Sequence, residues 1–179
     1  MVPDGMKQIG CKWDFLVKTN PDGTQRFKAR LAIKGYEQVP WIDFGATFAP
    51  VAKLVSLRLL VALSALNGWE MHHMDVPTAF LNPAIDNDVY MQLPEGIEWL
   101  KSTKLNSSTV CKLNKALYGL KQAPRLWCDT IDPQLQTMGL ERSKNDSNLY
   151  IAKDFDLLLL LYVDDIVTIL SSPGDTCSR

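Results

Sequence analysis

The chain has 179 residues, 46% of them apolar and 22% charged, with a formal net charge of −1. This length and apolar content suffice for a packed core in one domain or two small subdomains. Four scattered cysteines without a Cys-x-x-Cys pair argue against a zinc site or a disulfide framework, and the longest apolar run, residues 157–163, is far shorter than the roughly 20 residues that span a bilayer, so no membrane partner is expected.

The amino-terminal third of the chain is predicted to form a basic β-hairpin. Residues 12–18 alternate in polarity as a strand does, Asn20-Pro21-Asp22-Gly23 is typical of a turn, and residues 26–35 pair back as the second strand. Residues 1–60 carry nine Lys and Arg against five Asp and Glu, whereas residues 61–110 carry two against six. This local surplus of positive charge suits either a surface that contacts phosphates or a solvated face.

A loop and then a helix are predicted to follow the hairpin. Residues 36–50 lack periodicity, and residues 57–66 form a helix that Ser56 caps and Asn67-Gly68 ends. The core face of this helix is predicted to consist of Leu59, Leu60, Leu63 and Leu66. A strand then leads to Asp75, and its adjacent histidines, His72 and His73, point to opposite faces. This favours one core and one surface histidine over a pair of metal ligands.

The second half of the chain adds strands and one more helix. Strands are predicted at residues 89–92, 110–113, 148–152, 157–163 and 166–170. An exposed loop is expected over residues 94–109, and a helix should run from Pro124 to Met138, closed by Gly139. Pro133 falls inside this helix, where proline typically costs about 3 kcal/mol. Helices that alternate with antiparallel strands indicate the α+β class.

Two adjacent carboxylates, Asp164 and Asp165, come at the end of the apolar run. A buried strand should not end in two unpaired anions, so either a divalent cation compensates them or they are exposed in a hairpin turn. A third carboxylate, Asp75, also ends a predicted strand. Two strands that deliver aspartates to one sheet edge would make a pocket for two cations about 3.5–4 Å apart, which is the arrangement that promotes in-line phosphoryl transfer.

Beyond these carboxylates, a series of short segments resembles the reverse transcriptase of copia-type long-terminal-repeat retrotransposons over nearly the whole chain. The ordered set carries the resemblance, since no single segment is decisive. In chain order the segments are Ile9-Gly10-Cys11-Lys12-Trp13, Phe27-Lys28-Ala29-Arg30-Leu31, Lys34-Gly35-Tyr36, Thr47-Phe48-Ala49-Pro50-Val51-Ala52-Lys53, Met74-Asp75-Val76, Thr78-Ala79-Phe80-Leu81-Asn82, Tyr118-Gly119-Leu120-Lys121-Gln122-Ala123-Pro124-Arg125 and Tyr162-Val163-Asp164-Asp165.

The resemblance implies a fold, an activity and partners. The fold would be the α+β fingers and palm of a reverse transcriptase, an antiparallel sheet with packed helices that stops before the thumb. The fingers hairpin would occupy about residues 10–52, the palm about 54–92 and 110–170, and a polar tail 171–179. The activity would be RNA-directed DNA polymerisation with two Mg²⁺ ions, or Mn²⁺ in their place, on an RNA template, a DNA primer and deoxynucleoside triphosphates. An intact element would add the remaining Pol domains (thumb, ribonuclease H and integrase) and would act in cytoplasmic virus-like particles.

The catalytic roles implied by the resemblance belong to the three aspartates. Asp75 and Asp164 would each bridge both metal ions, and the carbonyl of Val76 would complete one coordination shell. Asp165 would belong to the same metal site but act more through its charge.

Further residues are implied to contact the substrates. The backbone amides of Thr78 and Ala79 would bind the triphosphate, and Gln122 would lie beside the nucleotide sugar and base pair. Phe80 would exclude a 2′-hydroxyl by steric conflict, unless it is only a core aromatic. Tyr162 would lie against the primer end, unless it only packs. The cations that bind the triphosphate would come from the fingers, and the candidates are Lys28, Arg30 and Lys34.

Some positions depart from the pattern of the family. Pro77 stands where a lysine is usual, and Trp41 and Pro83 replace customary glycines, which is expected to strain two turns. These departures keep two alternatives to an active polymerase open. One is a truncated, catalytically inactive remnant, and the other is a host-adopted module that binds nucleic acid or protein.

Overall fold

The computed structural model describes residues 2–97, 109–152 and 157–170. In this part of the chain, ten strands and two α-helices lie in two compact units. Unit 1 comprises Met1–Phe48 and Phe80–Leu126, and unit 2 comprises Ala49–Ala79 and Trp127–Arg179. The predicted mixture of helices and sheets is confirmed, whereas the names fingers and palm, with their boundaries, stay predictions.

The elements follow one another with short connections. In chain order they are β1 (Gln8–Ile9), β2 (Cys11–Thr19), β3 (Gln25–Ile33), α1 (Leu54–Asn67), β4 (Glu70–Asp75), β5 (Tyr90–Gln92), β6 (Val110–Lys112), α2 (Ala123–Thr137), β7 (Leu140–Arg142), β8 (Leu149–Ala152), β9 (Leu157–Tyr162) and β10 (Asp165–Leu170). In unit 1, β1 pairs in parallel with β5, which pairs antiparallel with β6, and β2 pairs antiparallel with β3. In unit 2, five antiparallel strands form one sheet in the order β4-β10-β9-β8-β7.

The β2–β3 hairpin of unit 1 has one apolar face and one charged face, because residues directly opposite each other on antiparallel strands share a face. The apolar face, which is largely exposed, carries Trp13, Phe15, Val17, Phe27 and Leu31. The charged face carries Lys12, Asp14, Lys18, Arg26, Lys28 and Arg30 around Leu16. The predicted basic hairpin is therefore present, and its cations gather on one side.

Two glycines allow the end of β3 to lie against the turn that follows residue 117. The N–H of Ile33 donates to the carbonyl of Tyr118 at 2.8 Å. A Cβ at Gly119, whose φ is 92°, would lie 2.2 Å from the Ile33 oxygen, and one at Gly35 would lie 1.9 Å from the Gly119 oxygen. Both approaches are too close for any side chain, so only glycine fits at either position.

The five-stranded sheet of unit 2 is covered on both faces. The side chains of Leu159 and Leu161 pack into a cluster with Leu135 of α2, whereas Leu158 and Leu160 pack into a cluster with Leu60 of α1. Because β9 is buried from both sides, its sequence is a continuous apolar run rather than an alternating one. The predicted buried strand is confirmed.

Helix α1 begins earlier than predicted and without the predicted cap. It starts at Leu54 and ends, as predicted, at Gly68, whose φ of 67° is left-handed. Ser56 lies in the first turn and is not the N-cap, because its hydroxyl donates to Oδ2 of Asp146 at 2.6 Å. The same carboxylate oxygen accepts the N–H of Lys53 at 3.0 Å. A residue about 90 positions away therefore takes the place of a local cap.

The core face predicted for α1 is wrong in part. Leu60 is buried, but Leu59 is 56% exposed and Leu66 is 82% exposed. The buried positions, Ser56, Leu60 and Ser64, are spaced by four residues, and the serines make hydrogen bonds. Since apolar residues occur on every side of this helix, their periodicity does not identify the packed face.

The remaining predictions for the elements are mostly confirmed. Helix α2 continues through Pro133, and Gly139 follows it with a φ of 84°. The short strands β1 and β7 were not predicted. Most of the loop predicted over residues 94–109, and the whole tail 171–179, lie outside the described residues. No helix in the described part of the chain is both long and apolar enough to span a membrane.

Candidate active site

One end of the unit 2 sheet carries the three aspartates. Asp165 on β10 is directly opposite Asp75 on β4 and, on its other side, directly opposite Tyr162 on β9. These three side chains therefore share one face, in a single row across the strands. Asp164 lies beside the row in the β9–β10 turn, where its carbonyl accepts the N–H of Val76 at 2.7 Å. The structure thus brings the predicted aspartates to one sheet end, and their catalytic roles stay predictions.

The turn that carries Asp164 is strained and held by hydrogen bonds. Val163 precedes Asp164 in this two-residue turn and has a φ of 59°, which is rare for a β-branched residue. A positive φ at the first central residue alone is the pattern of a type II′ hairpin turn, where glycine is usual. The indole Nε1 of Trp127 donates to the Val163 carbonyl at 2.6 Å, and the N–H of Val76 donates to the Asp164 carbonyl. Strain that is held in this way is typical of functional sites.

A histidine reaches the row of carboxylates from β4. His73 lies on the same face as Asp75, and its Nε2 is 2.8 Å from Oδ1 of Asp165. The other histidine, His72, lies on the opposite face, 3.5 Å from a carboxylate oxygen of Glu70. Both histidine side chains are more than half exposed, so the prediction that one of them is a core residue is wrong.

The donor chemistry of the site suits a divalent cation, although the side chains are not gathered around one point. Carboxylate oxygens and backbone carbonyls, such as those of Asp75, Asp164 and Val76, are the ligands that hard divalent cations prefer. Within residues 2–97, 109–152 and 157–170, no three His, Cys, Asp or Glu side chains form a group that could hold a metal ion. The exposed carboxylates of Asp75 and Asp164 would have to turn toward Asp165 to share a cation.

A cavity of about 520 Å³ lies against the same face of the sheet. Its walls are mostly apolar and come from residues 51–54 and from Leu57, Leu160 and Val167. His73, Tyr162 and Asp165 supply polar groups to it. The hydrogen-bonded pair His73–Asp165 therefore lies between a polar row of side chains and an apolar pocket.

The candidate triphosphate cations lie in unit 1. Lys28 and Arg30 share the charged face of the hairpin, whereas Lys34 follows β3, where its N–H donates to the carbonyl of Gly10 at 2.8 Å. The guanidinium of Arg30 lies 5.5 Å from the ring centroid of Tyr118. Contact between these cations and a triphosphate stays a prediction.

Phe80 also belongs to unit 1, where it is half-buried. Its ring meets that of Tyr118 edge to face, with the centroids 5.8 Å apart, and it packs against the main apolar cluster of this unit. Arg30, Tyr118 and Phe80 thus form a continuous row. Both roles considered for Phe80, a sugar-excluding wall and a packing residue, are compatible with this partial burial.

Gln122 is fully buried in unit 1. Its Oε1 accepts from Nε2 of Gln38, and its Nε2 donates to the carbonyl of Asp43, both at 2.9 Å. Oε1 of Gln38 in turn accepts the N–H of Lys121 at 2.8 Å. The amide of Gln122 thus links residues 38–43 to the start of α2 by hydrogen bonds. Its direct contact with a nucleotide stays a prediction.

The two predicted amide donors follow the end of β4. Thr78 comes directly after Pro77 and has a φ of 54°, again left-handed without being glycine. Ala79 is buried and begins a 3₁₀ turn, Ala79–Leu81. The segment after Asp75 therefore changes direction sharply, as a loop that contacts a phosphate would do, and the contact itself stays a prediction.

Sequence reasoning missed two residues of the site, His73 and Trp127. His73 precedes Asp75 by two positions, and that spacing alone places both on one face of a strand. Trp127 lies in α2, where nothing in the sequence indicates a bond to a turn 36 residues later.

Comparison with known proteins points to one family. The family described as "Reverse transcriptase (RNA-dependent DNA polymerase)" matches residues 1–175. "Retrovirus-related Pol polyprotein from transposon RE1" of Arabidopsis thaliana is 40% identical over 174 residues, 96% of this chain and 12% of that protein. "Retrovirus-related Pol polyprotein from transposon TNT 1-94" of Nicotiana tabacum is 38% identical over 177 residues, 97% of this chain and 13% of that protein.

A more distant relative is also described as a transposon polyprotein. "Transposon Ty1-DR4 Gag-Pol polyprotein" of Saccharomyces cerevisiae is 27% identical over 154 residues, 86% of this chain and 9% of that protein. No solved structure matches the chain. The chain spans about an eighth of the length of the plant relatives it matches. Because the family match covers nearly the whole chain, the chain belongs to the reverse transcriptase (RNA-dependent DNA polymerase) family, as found in the Pol polyproteins of copia-type transposons.

Proposed function

We propose that this chain is the part of a copia-type Pol polyprotein that carries the polymerase active site and adds deoxynucleotides to a primer 3′-end on an RNA template. One observation carries the proposal. Asp75 and Asp165 are directly opposite each other on neighbouring strands, with Asp164 in the turn beside them. Like charges directly opposite each other repel, and carboxylates at one sheet end are the ligands that phosphoryl transfer with two divalent ions uses.

In this function Asp75 and Asp164 would hold two Mg²⁺ ions, or Mn²⁺ in their place, together with the carbonyl of Val76. When bound, such ions neutralise charge on the phosphate and favour ionisation of the attacking 3′-hydroxyl. Asp165 would belong to the same metal site and would strengthen cation binding mainly through its negative charge. Tyr162, about half exposed in the same row, offers a flat surface for the end of the primer.

The remaining substrate contacts are proposed residue by residue. The charged face of the hairpin suits a polyphosphate, with Arg30 and Lys28 on the face itself and Lys34 just beyond β3. The N–H groups of Thr78 and Ala79 would bind the triphosphate near its reacting phosphate. Phe80 would exclude a 2′-hydroxyl from the sugar pocket. Gln122 would act mainly by fixing the position of residues 38–43, to which its buried amide is hydrogen-bonded.

A second candidate, an inactive remnant that still folds, is favoured by a specific observation. Trp41 and Thr78 have left-handed φ values of 65° and 54° without being glycine. Such residues cost about 1–2 kcal/mol each, and a marginally stable domain tolerates few of them. A remnant would keep the sheet and its carboxylates without turning over substrate.

Primer extension by a longer polypeptide separates the two candidates. The polypeptide should contain this chain followed by the segments that follow the matching region in its plant relatives. We expect it to extend a DNA primer on an RNA template with Mg²⁺, and we expect Asp75→Asn to lower the rate by several orders of magnitude while the protein remains folded. The neutral amide removes repulsion among the carboxylates, so thermal stability should not fall.

The matched control is Glu70→Gln, which neutralises a carboxylate at the other end of the same strand. It should leave extension unchanged. Equal rates for Asp75→Asn and the unaltered protein would contradict the proposed function. A protein that folds, binds Mn²⁺ and extends nothing would support the inactive remnant.

A further inference from the structure

We propose that His73 is a positioning residue for Asp165, whose carboxylate it holds by one oxygen while it leaves the second oxygen available to a cation. This inference rests on the proposed function, since it assigns Asp165 to a metal site. It adds a residue that does not itself contact metal, nucleotide or primer.

The first step of the argument is the hydrogen bond itself. Nε2 of His73 lies 2.8 Å from Oδ1 of Asp165. An ionised carboxylate only accepts hydrogen bonds, so the imidazole must be the donor through Nε2. The bond uses one of the two carboxylate oxygens, and a cation can take the other without breaking it.

The second step is the register of the strands. His73 is directly opposite Val167, two positions beyond Asp165 on the same face of β10. Such diagonal neighbours are about 7–8 Å apart at Cα, a gap that a ring as long as imidazole bridges. A histidine one position earlier, such as His72, points to the other face and does not reach Asp165.

The third step is electrostatic. Asp75 and Asp165 are directly opposite each other, and like charges at such positions repel. His73 is on the side of Asp165 away from the β9–β10 turn, so its bond restrains the carboxylate against free rotation. Ligand side chains that are held by a second hydrogen bond bind cations more tightly than those that are not.

The fourth step separates this role from a structural one. The side chains of His73 and Asp165 are 64% and 46% exposed, and pairs that are this exposed add little to folding. Removing the imidazole should therefore leave the fold intact. Any loss of cation binding then reports on the carboxylate rather than on an unfolded chain.

The test is a titration of the chain with Mn²⁺, followed by the electron paramagnetic resonance signal of the free ion. His73→Leu removes the donor, His73→Gln keeps an N–H near the place of Nε2, and His72→Leu is the matched control on the other face. We expect His73→Leu to weaken Mn²⁺ binding by about 10–100-fold, His73→Gln to restore most of the affinity and His72→Leu to leave it unchanged. Melting temperatures of all variants should agree closely.

Two results would overturn the proposal, and they differ in what they say about the polymerase site. If Asp75→Asn abolishes Mn²⁺ binding but His73→Leu does not weaken it, His73 has no positioning role and the proposed function is untouched. The same holds if His73→Gln binds as weakly as His73→Leu. If the unaltered chain itself binds no Mn²⁺, the carboxylate site and the role of His73 both fail.

Discussion

At the scale of single residues, Trp41 shows the cost of a departure from glycine. Its φ is 65° and its side chain is 87% exposed, so no packing compensates for the left-handed backbone. Because glycine adopts this conformation without steric cost, Trp41→Gly should raise the free energy of unfolding by about 1 kcal/mol, as measured by urea denaturation. The sequence predicted strain at this position, and the left-handed φ confirms it.

Trp41→Ala is the control for this prediction. Alanine removes the exposed indole but keeps a Cβ at the same left-handed φ, so its urea midpoint should stay close to that of the unaltered chain. If alanine stabilises the chain as much as glycine does, the gain comes from loss of the indole, and backbone strain is not its cause.

A substitution of Phe80 can distinguish a role in packing from a role in the choice between ribonucleotides and deoxynucleotides. It packs against the apolar cluster of unit 1 and meets Tyr118 edge to face. In the polymerising polypeptide, Phe80→Ala should raise incorporation of ribonucleotides relative to deoxynucleotides by at least about tenfold, because a steric block is removed. Stability should fall by less than the about 3–5 kcal/mol typical of a fully buried phenylalanine, since Phe80 is only half-buried.

Ile85→Ala provides the comparison, because Ile85 packs against the same cluster. It should lower the melting temperature without altering the ratio of ribonucleotide to deoxynucleotide incorporation. If Phe80→Ala behaves in the same way, Phe80 is a packing residue only.

The residues of the candidate site differed in how far the sequence revealed them. Asp75, Asp164 and Asp165 were found because each comes at the end of a predicted strand, and because the short segments that contain them stand in an informative order along the chain. His73 and Trp127 act through hydrogen bonds whose partners depend on strand register and helix position. The buried state of Gln122 could not be foreseen for the same reason, because Gln38 and Asp43 are about 80 residues away.

At the scale of elements, the start of α1 depends on Asp146. This carboxylate is 5% exposed and accepts hydrogen bonds from the hydroxyl of Ser56 and from the N–H groups of Lys53 and Asn148. Burial raises the pKa of Asp146, but the hydrogen bonds together outweigh burial and hold its pKa below the ordinary value. A negative charge at the start of a helix is also favourable to the helix dipole.

The lowered pKa predicts how stability depends on pH. Because the folded chain binds this proton less readily than the unfolded chain, the contribution of Asp146 is fully present above about pH 4 and is lost as the pH falls through the folded pKa. Asp146→Asn should lower the free energy of unfolding at pH 7 by about 1–3 kcal/mol. Denaturation measured from pH 7 to pH 3 should then show a shallower loss of stability than in the unaltered chain.

Ser56→Ala is the graded variant, since it removes one of the three hydrogen bonds and keeps the charge. It should lose less stability than Asp146→Asn and retain part of the pH dependence. Parallel pH profiles for Asp146→Asn and the unaltered chain would show that this carboxylate does not stabilise the start of α1.

The elements themselves were largely predictable, but the packed face of α1 was not. The ends of α1 and α2 follow from Gly68 and Gly139, whose left-handed φ values stop a helix wherever it packs. The face of α1 depends on which side meets the sheet, and its apolar residues do not mark that side. Leu66 is exposed while Ser64 is buried, because Ser64 has a partner in the carbonyl of Trp69.

At the scale of the whole molecule, charge is distributed unevenly although the net charge is close to zero. The first 60 residues have four more cations than anions, and those of the hairpin gather on one of its faces. The sequence left open whether this surplus contacts phosphates or only solvates a surface. The alternation of the two strands places five cations on this face, and Lys12 among them is paired with Asp14 at 2.9 Å. The question therefore concerns the remaining four exposed or half-exposed cations, Lys18, Arg26, Lys28 and Arg30.

The salt dependence of nucleic-acid binding decides between these two roles. Each cation that contacts a phosphate releases a counterion, so the logarithm of the binding constant for a duplex should fall linearly with the logarithm of salt concentration. Arg26→Gln or Lys28→Gln should each reduce the slope by about 0.9 when anisotropy of a labelled RNA–DNA hybrid is measured across a salt series. Lys112→Gln is the control, because Lys112 is already paired with Asp88 at 2.7 Å and should add nothing to the slope. If all three variants keep the original slope, the charged face of the hairpin is a solvated surface, and the triphosphate roles proposed for Lys28 and Arg30 lose their electrostatic support.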